Sequence, residues 1–448
     1  MKVHCFLLLV ILSLAINNAS GSPRTIRHDK VVACYVASWA WYRPSSGKFG
    51  INDLQPELCT HLIYAFAGLN DTDWTIRSLD PYKDIENGTG DYRRITELRK
   101  QYPHLKVSLA IGGWEEGSRN YSKLASSPDL RKKFVDSVVA FLKEYGFNGF
   151  DLDWEFPASR GGLPADKENF VYLVKELKEA FKRPRYLLTA AISANIIIIN
   201  EGYDIPEISK YLDHIHIMAY DYHGTWDSKV LPNSPMTSTD SLSVESTIKH
   251  LLNNGAPPSK LVLGLPMYGR TFILAKKPDS PQESPMNKIC LPEGFKGPYT
   301  GQVGFMGYNE ICEEIAKNSN NWSTGWDRDS STPYAIKEDR VIVYDNPTSI
   351  KIKIEYAMKM NLGGVMIWSV DTDDFRGRCK EGFYLKDSLD TTDHTFPLMR
   401  TINTVLANYS SNNSEPEPNR PTNNDKSSAD RCLLNVTLIL FALLLRYA

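Results

Sequence analysis

The stretch Phe147-Asn148-Gly149-Phe150-Asp151-Leu152-Asp153-Trp154-Glu155-Phe156-Pro157 sets three carboxylates two residues apart inside an apolar run. Side chains of a strand alternate faces, so Asp151, Asp153 and Glu155 share one face while Leu152, Trp154 and Phe156 take the other. Neighbours on one face lie about 6–7 Å apart, which gathers three negative groups in a small volume. Like charges that close cannot all ionise freely, and at least one is expected to hold a proton near neutral pH. A carboxylic acid kept protonated at that pH is what a general acid needs. The plainer alternative is a charged edge strand facing water. The bracketing Phe147, Phe150 and Trp154 and the closing Pro157 speak against it.

Outward from this stretch the same kind of run recurs. Short apolar segments ending in polar or aromatic residues occupy Val31–Trp39, His61–Leu69, Lys106–Trp114, Phe147–Glu155, Tyr186–Ala194, Leu212–Asp221, Lys260–Arg270 and Gly363–Asp371. Helix-like stretches such as Pro128–Tyr145, Ala165–Lys182, Ser243–Asn253 and Thr348–Met360 lie between them. Near-continuous apolar strands alternating with amphipathic helices indicate a parallel sheet covered by helices. Eight such units indicate an α/β fold of the (β/α)8 barrel type rather than an open sheet. The connection between Arg270 and Gly363 is too long for a bare loop, and a small inserted domain is expected over about 271–345.

Barrel enzymes place their chemistry at the C-terminal ends of the strands. Here those ends carry Trp39 and Trp41, Phe66, Trp114, Glu155, Tyr220 with Asp221, Tyr268 with Arg270, and Trp368 with Asp371. One aromatic alone reads as core packing. Aromatics at this many strand ends together suit a cleft that stacks on the apolar faces of sugar rings.

A chain of 448 residues with 42% hydrophobic residues has ample material for one large barrel. The net charge of −2 gives no reason to expect a nucleic-acid partner. Residues 1–21 join a short basic start, an apolar run from Cys5 to Ala15 and small residues near Ser20–Ser22, the pattern of a secretory signal peptide; a membrane anchor is the alternative. At the other end, the barrel domain is expected over 29–408 and a polar linker over 409–431, the composition of a disordered segment. The apolar tail within 432–448 is short for a bilayer span and suits a GPI-anchor signal, with Ser427-Ser428-Ala429 or the region of Asn423 and Asn424 as the attachment site. A short transmembrane anchor is the alternative. An extracellular, cell-surface location follows from either.

Beyond the leader the cysteines are Cys34, Cys59, Cys290, Cys312, Cys379 and Cys432. No Cys-x-x-Cys pair occurs, so zinc or redox chemistry has no support, and neither metal nor cofactor is expected. An oxidising compartment favours disulfides. Asn-x-Ser/Thr sequons at Asn70, Asn87, Asn120, Asn321, Asn408 and Asn412 mark expected surface loops open to glycosylation.

The Asp151–Glu155 segment resembles the Asp-Gly-x-Asp-x-Asp-x-Glu signature of family 18 glycoside hydrolases, the chitinases and their relatives. Asp151, Asp153 and Glu155 fall on its last three acidic positions, and the resemblance covers roughly 30–400. It implies a barrel with an α+β insertion after strand seven, acting without cofactor on β-1,4-linked N-acetylglucosamine polymers, with a monomer expected. A usual retaining glycosidase needs a second carboxylate about 5–5.5 Å across the sugar, and this family is an exception that uses the substrate's own acetamido group. The resemblance implies Glu155 as the general acid, Asp153 orienting the acetamido N–H, Asp151 beneath it, and Tyr220 bonding the acetamido oxygen. Trp368 matches the floor beneath the reacting sugar. Tyr35, Phe66, Gly113, Trp114, Phe156, Met218, Asp221 and Arg270 match substrate-contacting positions. It also implies disulfides Cys34–Cys59 and Cys312–Cys379, with no partner for Cys290. Two residues depart from the pattern: Asn148 replaces the first acid, and Phe156 stands where tyrosine is usual; both bear on rate and pH optimum. A chitinase-like lectin is the alternative from another class. Such proteins usually lose the acid that Glu155 supplies. An endo-β-N-acetylglucosaminidase acting on glycoprotein glycans is a further one.

Overall fold

All eight apolar runs become parallel strands, for the reason that made them legible: each is buried on both faces. In this computed structural model, which describes residues 28–280, 283–317, 321–379 and 393–413, they are β1 (Val31–Ala37), β2 (His61–Asn70), β3 (Lys106–Gly112), β4 (Gly149–Asp153), β5 (Leu187–Ser193), β6 (His214–Met218), β7 (Leu261–Pro266) and β8 (Gly364–Trp368). Each pairs with its successor, and β1 pairs with β8 through Val31 opposite Gly364, which closes the barrel.

Local signals set the covering helices. The helix Pro128–Tyr145 starts where the Ser127 side chain accepts from Leu130 N–H, has proline at its first turn, and ends at Gly146 in the left-handed region. Its inner stripe buries Phe134, Val135, Val138 and Leu142. Asp166–Phe181 follows the same period with Phe170, Leu173, Val174 and Leu177. Ser243 caps Val244–Asn253, and Asn346 caps Pro347–Lys359.

The run Lys260–Arg270, expected to be one strand, divides. β7 stops at Pro266, which has no N–H to extend the ladder, and Tyr268–Ile273 opens a second sheet. That sheet is antiparallel, in the order Phe305–Gly307, Tyr268–Ile273, Arg340–Val343, Thr332–Lys337, Ser323–Asp327, with the helix Tyr308–Lys317 beside it. The insertion therefore begins at Tyr268 rather than at 271. Tyr268 and Arg270 stand on its wall, not on a barrel strand.

The last helix, Pro397–Asn413, runs past the expected domain end at 408, so the first residues of the expected linker are helical. Its register keeps Ile402, Val405 and Leu406 buried. Asn408 and Asn412 lie on this helix, Asn120 on the helix Arg119–Ser126 and Asn70 at the end of β2, so of the six sequons Asn87 and Asn321 lie in turns. The leader, most of the linker and the apolar tail with Cys432 fall outside the described residues. Among the described residues no helix is long and apolar enough to cross a membrane.

Both expected disulfides form. Cys34–Cys59 ties β1 to the segment entering β2, and Cys312–Cys379 ties the insertion helix to the chain after β8. Cys290 is buried and free.

Candidate active site

β4 brings the three carboxylates to the C-terminal mouth of the barrel at different depths. Asp151 is wholly buried and accepts from the hydroxyls of Tyr35, at 2.6 Å, and Thr189, at 2.5 Å. His216 Nδ1 lies 3.1 Å from the same carboxylate and 3.2 Å from the Tyr35 oxygen. One residue pair up the strand, Asp153 is 3% exposed and its Oδ1 has no protein partner. Burial, then the charge of Glu155, then that of Asp151 hold its carboxyl well above the usual range. The strand ends at Asp153, so Glu155 projects just past it into the cleft. Burial pushes Glu155 up to about 7; Arg160 opposes this and Asp221 adds to it. Two of the three acids thus keep protons towards neutral pH, as crowding in a dry site requires.

β3 must approach this edge closely. Gly113 N–H donates to the Asp153 carbonyl at 2.8 Å. Gly112 and Gly113 have φ of 111° and 84°; a Cβ on Gly112 would stand 2.1 Å from the Asp153 oxygen, and one on Gly113 2.7 Å from the Phe66 ring. Only glycine fits.

An aromatic floor lies beside the acids. Trp368 packs edge-on to Tyr35 with ring centroids 5.5 Å apart and stacks on Phe66 at 5.9 Å, and Phe66 stacks on Trp39 at 6.0 Å. Trp39 and Trp114 are 44% and 58% exposed, so both offer faces to a ligand. The Arg160 guanidinium lies 3.5 Å from the Trp114 ring centre and donates to the Glu155 carbonyl. Among the described residues three non-proline peptide bonds are cis: Ala65–Phe66, Glu155–Phe156 and Trp368–Ser369.

The insertion supplies the far wall. Tyr268 donates to Asp221 at 2.7 Å, and Arg270 pairs with the same oxygen at 2.5 Å. Tyr220 stands edge-on to Tyr268 at 6.0 Å, with its hydroxyl 3.7 Å from Met366 Sδ. Met218 lies half-buried against the apolar cluster that contains Tyr35 and Tyr220.

Most sequence-derived candidates therefore converge on this cleft. Tyr35 is 1% exposed and acts on Asp151; the Phe156 side chain is 8% exposed. Asn148 lies at the start of β4, roughly 10 Å of strand from Asp151, where its Oδ1 accepts from Val107 N–H at 2.7 Å. An amide and a carboxylate serve that bond alike. Thr189 and His216 were not among the candidates, although strand alternation aims both inward, and Trp39 was noted only as a strand-end aromatic.

Residues 31–373 match the model of glycosyl hydrolases family 18. The chain is 47% identical to probable chitinase 2 of Drosophila melanogaster over 93% of its own length and 90% of that protein. Its fold superposes on the Ostrinia furnacalis Group IV chitinase solved in complex with allosamidin, with TM-score 0.79, 40% identity, and coverage of 85% of this chain and 100% of that one. It also superposes on human YKL-39, a pseudo-chitinase with retained chitooligosaccharide binding, with TM-score 0.73, 29% identity and coverage of 84% and 99%. With its signature acids on β4 at the mouth of a closed eight-stranded barrel, this chain belongs to glycosyl hydrolase family 18.

Proposed function

We propose that the protein is an endo-acting chitinase, hydrolysing β-1,4 bonds between N-acetylglucosamine units with retention of configuration. The observation that carries this is Glu155: a carboxyl held up to about 7 at the edge of an aromatic cleft, and so protonated at mildly acid pH. Glu155 gives its proton to the glycosidic oxygen. The other carboxylates are badly placed as nucleophiles, since Asp151 is sealed beneath Asp153 and Asp221 is tied to Arg270 and Tyr268. The substrate's acetamido oxygen supplies the nucleophile instead, closing an oxazolinium ring. Asp153, with a free buried oxygen, accepts from the acetamido N–H, and as the proton it holds passes to Asp151 it balances the positive charge that develops there. Tyr220 donates to the acetamido oxygen. Trp368 supports the reacting sugar, and Trp39, Phe66 and Trp114 extend the platform on one side while Met218, Asp221 and Arg270 bound the other.

The test is hydrolysis of a fluorogenic chitotriose by the domain ending after Asn413, with cellulose oligomers as the control. Release from the N-acetylated substrate alone is expected. Efficient cellulose cleavage refutes the acetamido mechanism, and no release between about pH 4 and pH 9 leaves a chitin-binding lectin.

We further infer that residues 1–21 direct export and that the apolar C-terminal tail is exchanged for a GPI lipid, leaving the barrel outside the cell. The support is the composition of both ends together with the two disulfides, which an oxidising compartment permits.

A further inference from the structure

The corner that carries Tyr220 and Asp221 lies beyond the end of its own strand, bonded to it only through Ala219 and Tyr220 N–H. β6 ends at Met218, and Asp221 lies in the left-handed region at φ 56°. A non-glycine residue there needs its surroundings to fix it. The surroundings are a buried dipeptide twelve residues on. Asn233 Oδ1 accepts from Asp221 N–H at 3.0 Å, Asn233 C=O accepts from Tyr222 N–H at 3.1 Å, and Ser234 Oγ donates to the Ala219 carbonyl at 2.7 Å. Both residues are fully buried. The dipeptide is anchored from behind: Lys353 Nζ donates to Ser234 Oγ at 2.8 Å and to Asp345 at 2.5 Å, and this ion pair is wholly inside the protein. Asp345 follows the last insertion strand and Lys353 lies on the helix Pro347–Lys359. The insertion wall and the strand-six corner are thereby bolted together behind Tyr268 and Asp221.

We propose that Asn233 and Ser234 are positioning residues, a clamp of buried hydrogen bonds that fixes the Tyr220 hydroxyl and the Asp221 carboxylate relative to Glu155. A burial role alone would not require bonds to Ala219, Asp221 and Tyr222, which flank Tyr220 on both sides. The inference rests on the proposed role of Tyr220 and concerns the timing of its action: the hydroxyl is useful where the acetamido oxygen arrives in the transition state, so displacement affects turnover more than binding.

The experiment measures kcat and KM on chitotetraose, with melting temperatures, for the wild type, N233A, S234A, Y220F and N233A/Y220F. N233A is expected to lower kcat about 10²-fold, the scale of a misplacement near 1 Å, with KM changed less than about threefold. In the double variant the loss should not multiply, because the clamp acts through a hydroxyl already removed. S234A, which keeps the small side chain and removes the bond to Ala219, should fall the same way by a smaller factor and covers the case in which N233A does not fold. Full kcat in whichever of N233A and S234A folds, or, where Y220F is itself slow, losses that multiply with those of Y220F, overturns the clamp. A silent Y220F beside a slow N233A refutes the role of Tyr220 and leaves the clamp acting on Asp221. A slow Y220F beside silent clamp variants refutes the clamp alone.

Discussion

Replacing Glu155 with glutamine should destroy the activity and, over part of the pH range, stabilise the fold. The folded chain holds the Glu155 proton up to about pH 7, against an ordinary value of 4.5. Between those values the folded state binds more protons than the unfolded state, so wild-type stability falls as pH rises through the window. At about 1.4 kcal/mol per pH unit, the accumulated loss is about 3 kcal/mol by neutrality. Glutamine has the same shape and cannot ionise. E155Q should therefore match the wild type below about pH 4.5, draw ahead from there to about pH 7, and stay ahead by about 3 kcal/mol above it. The same change removes the second cause of the raised Asp153 carboxyl, which acts in the same direction. Urea unfolding of both proteins at half-unit steps measures the difference directly, and chitotriose hydrolysis should fall by about 10²–10⁴-fold. Parallel stability curves would mean that Glu155 is not held protonated by its site. The physical ground for naming it the acid would then be gone, whatever the activity.

D153A should lower kcat at least 10²-fold with little change in KM, since Asp153 is assigned to charge that appears only in the transition state; equal losses in both constants would refute that role. G113A should displace the Phe66 ring, because its Cβ would come within 2.7 Å and the backbone there has φ 84°; a raised KM for chito-oligosaccharides with a lowered melting temperature is expected, and unchanged values would show that the floor does not depend on this approach. Phosphatidylinositol-specific phospholipase C should release activity from intact cells expressing the full chain; activity that stays on the membrane with Leu433–Leu445 intact by mass spectrometry would mean a transmembrane tail.

The parts of this molecule that were legible in its sequence are those whose physics has a short period. The barrel strands showed because a strand buried on both faces is apolar at every position, and Asp151, Asp153 and Glu155 showed because a carboxylate at every second position of such a strand has no neutral explanation. The same rule misled at Lys260–Arg270, where an uninterrupted apolar run hides a change of sheet; Pro266 was the one mark of it. Thr189 and His216 could not be paired with Asp151 from sequence, since 38 and 65 positions separate them and closure of the barrel alone brings them together. Asn233 is harder still. Its partner is the backbone N–H of Asp221, a group every residue but proline carries, so no side-chain pattern announces the bond. The structure supplies the reason for the bond: Asp221 in a left-handed corner needs an acceptor for its N–H and a wall behind it, and the buried Lys353–Asp345 pair anchors that wall. A buried ion pair is weak evidence for stability in itself, because desolvation offsets its attraction. Its value here is geometric, for it joins the insertion to the barrel at the point where Arg270 and Tyr268 from one must meet Asp221 from the other.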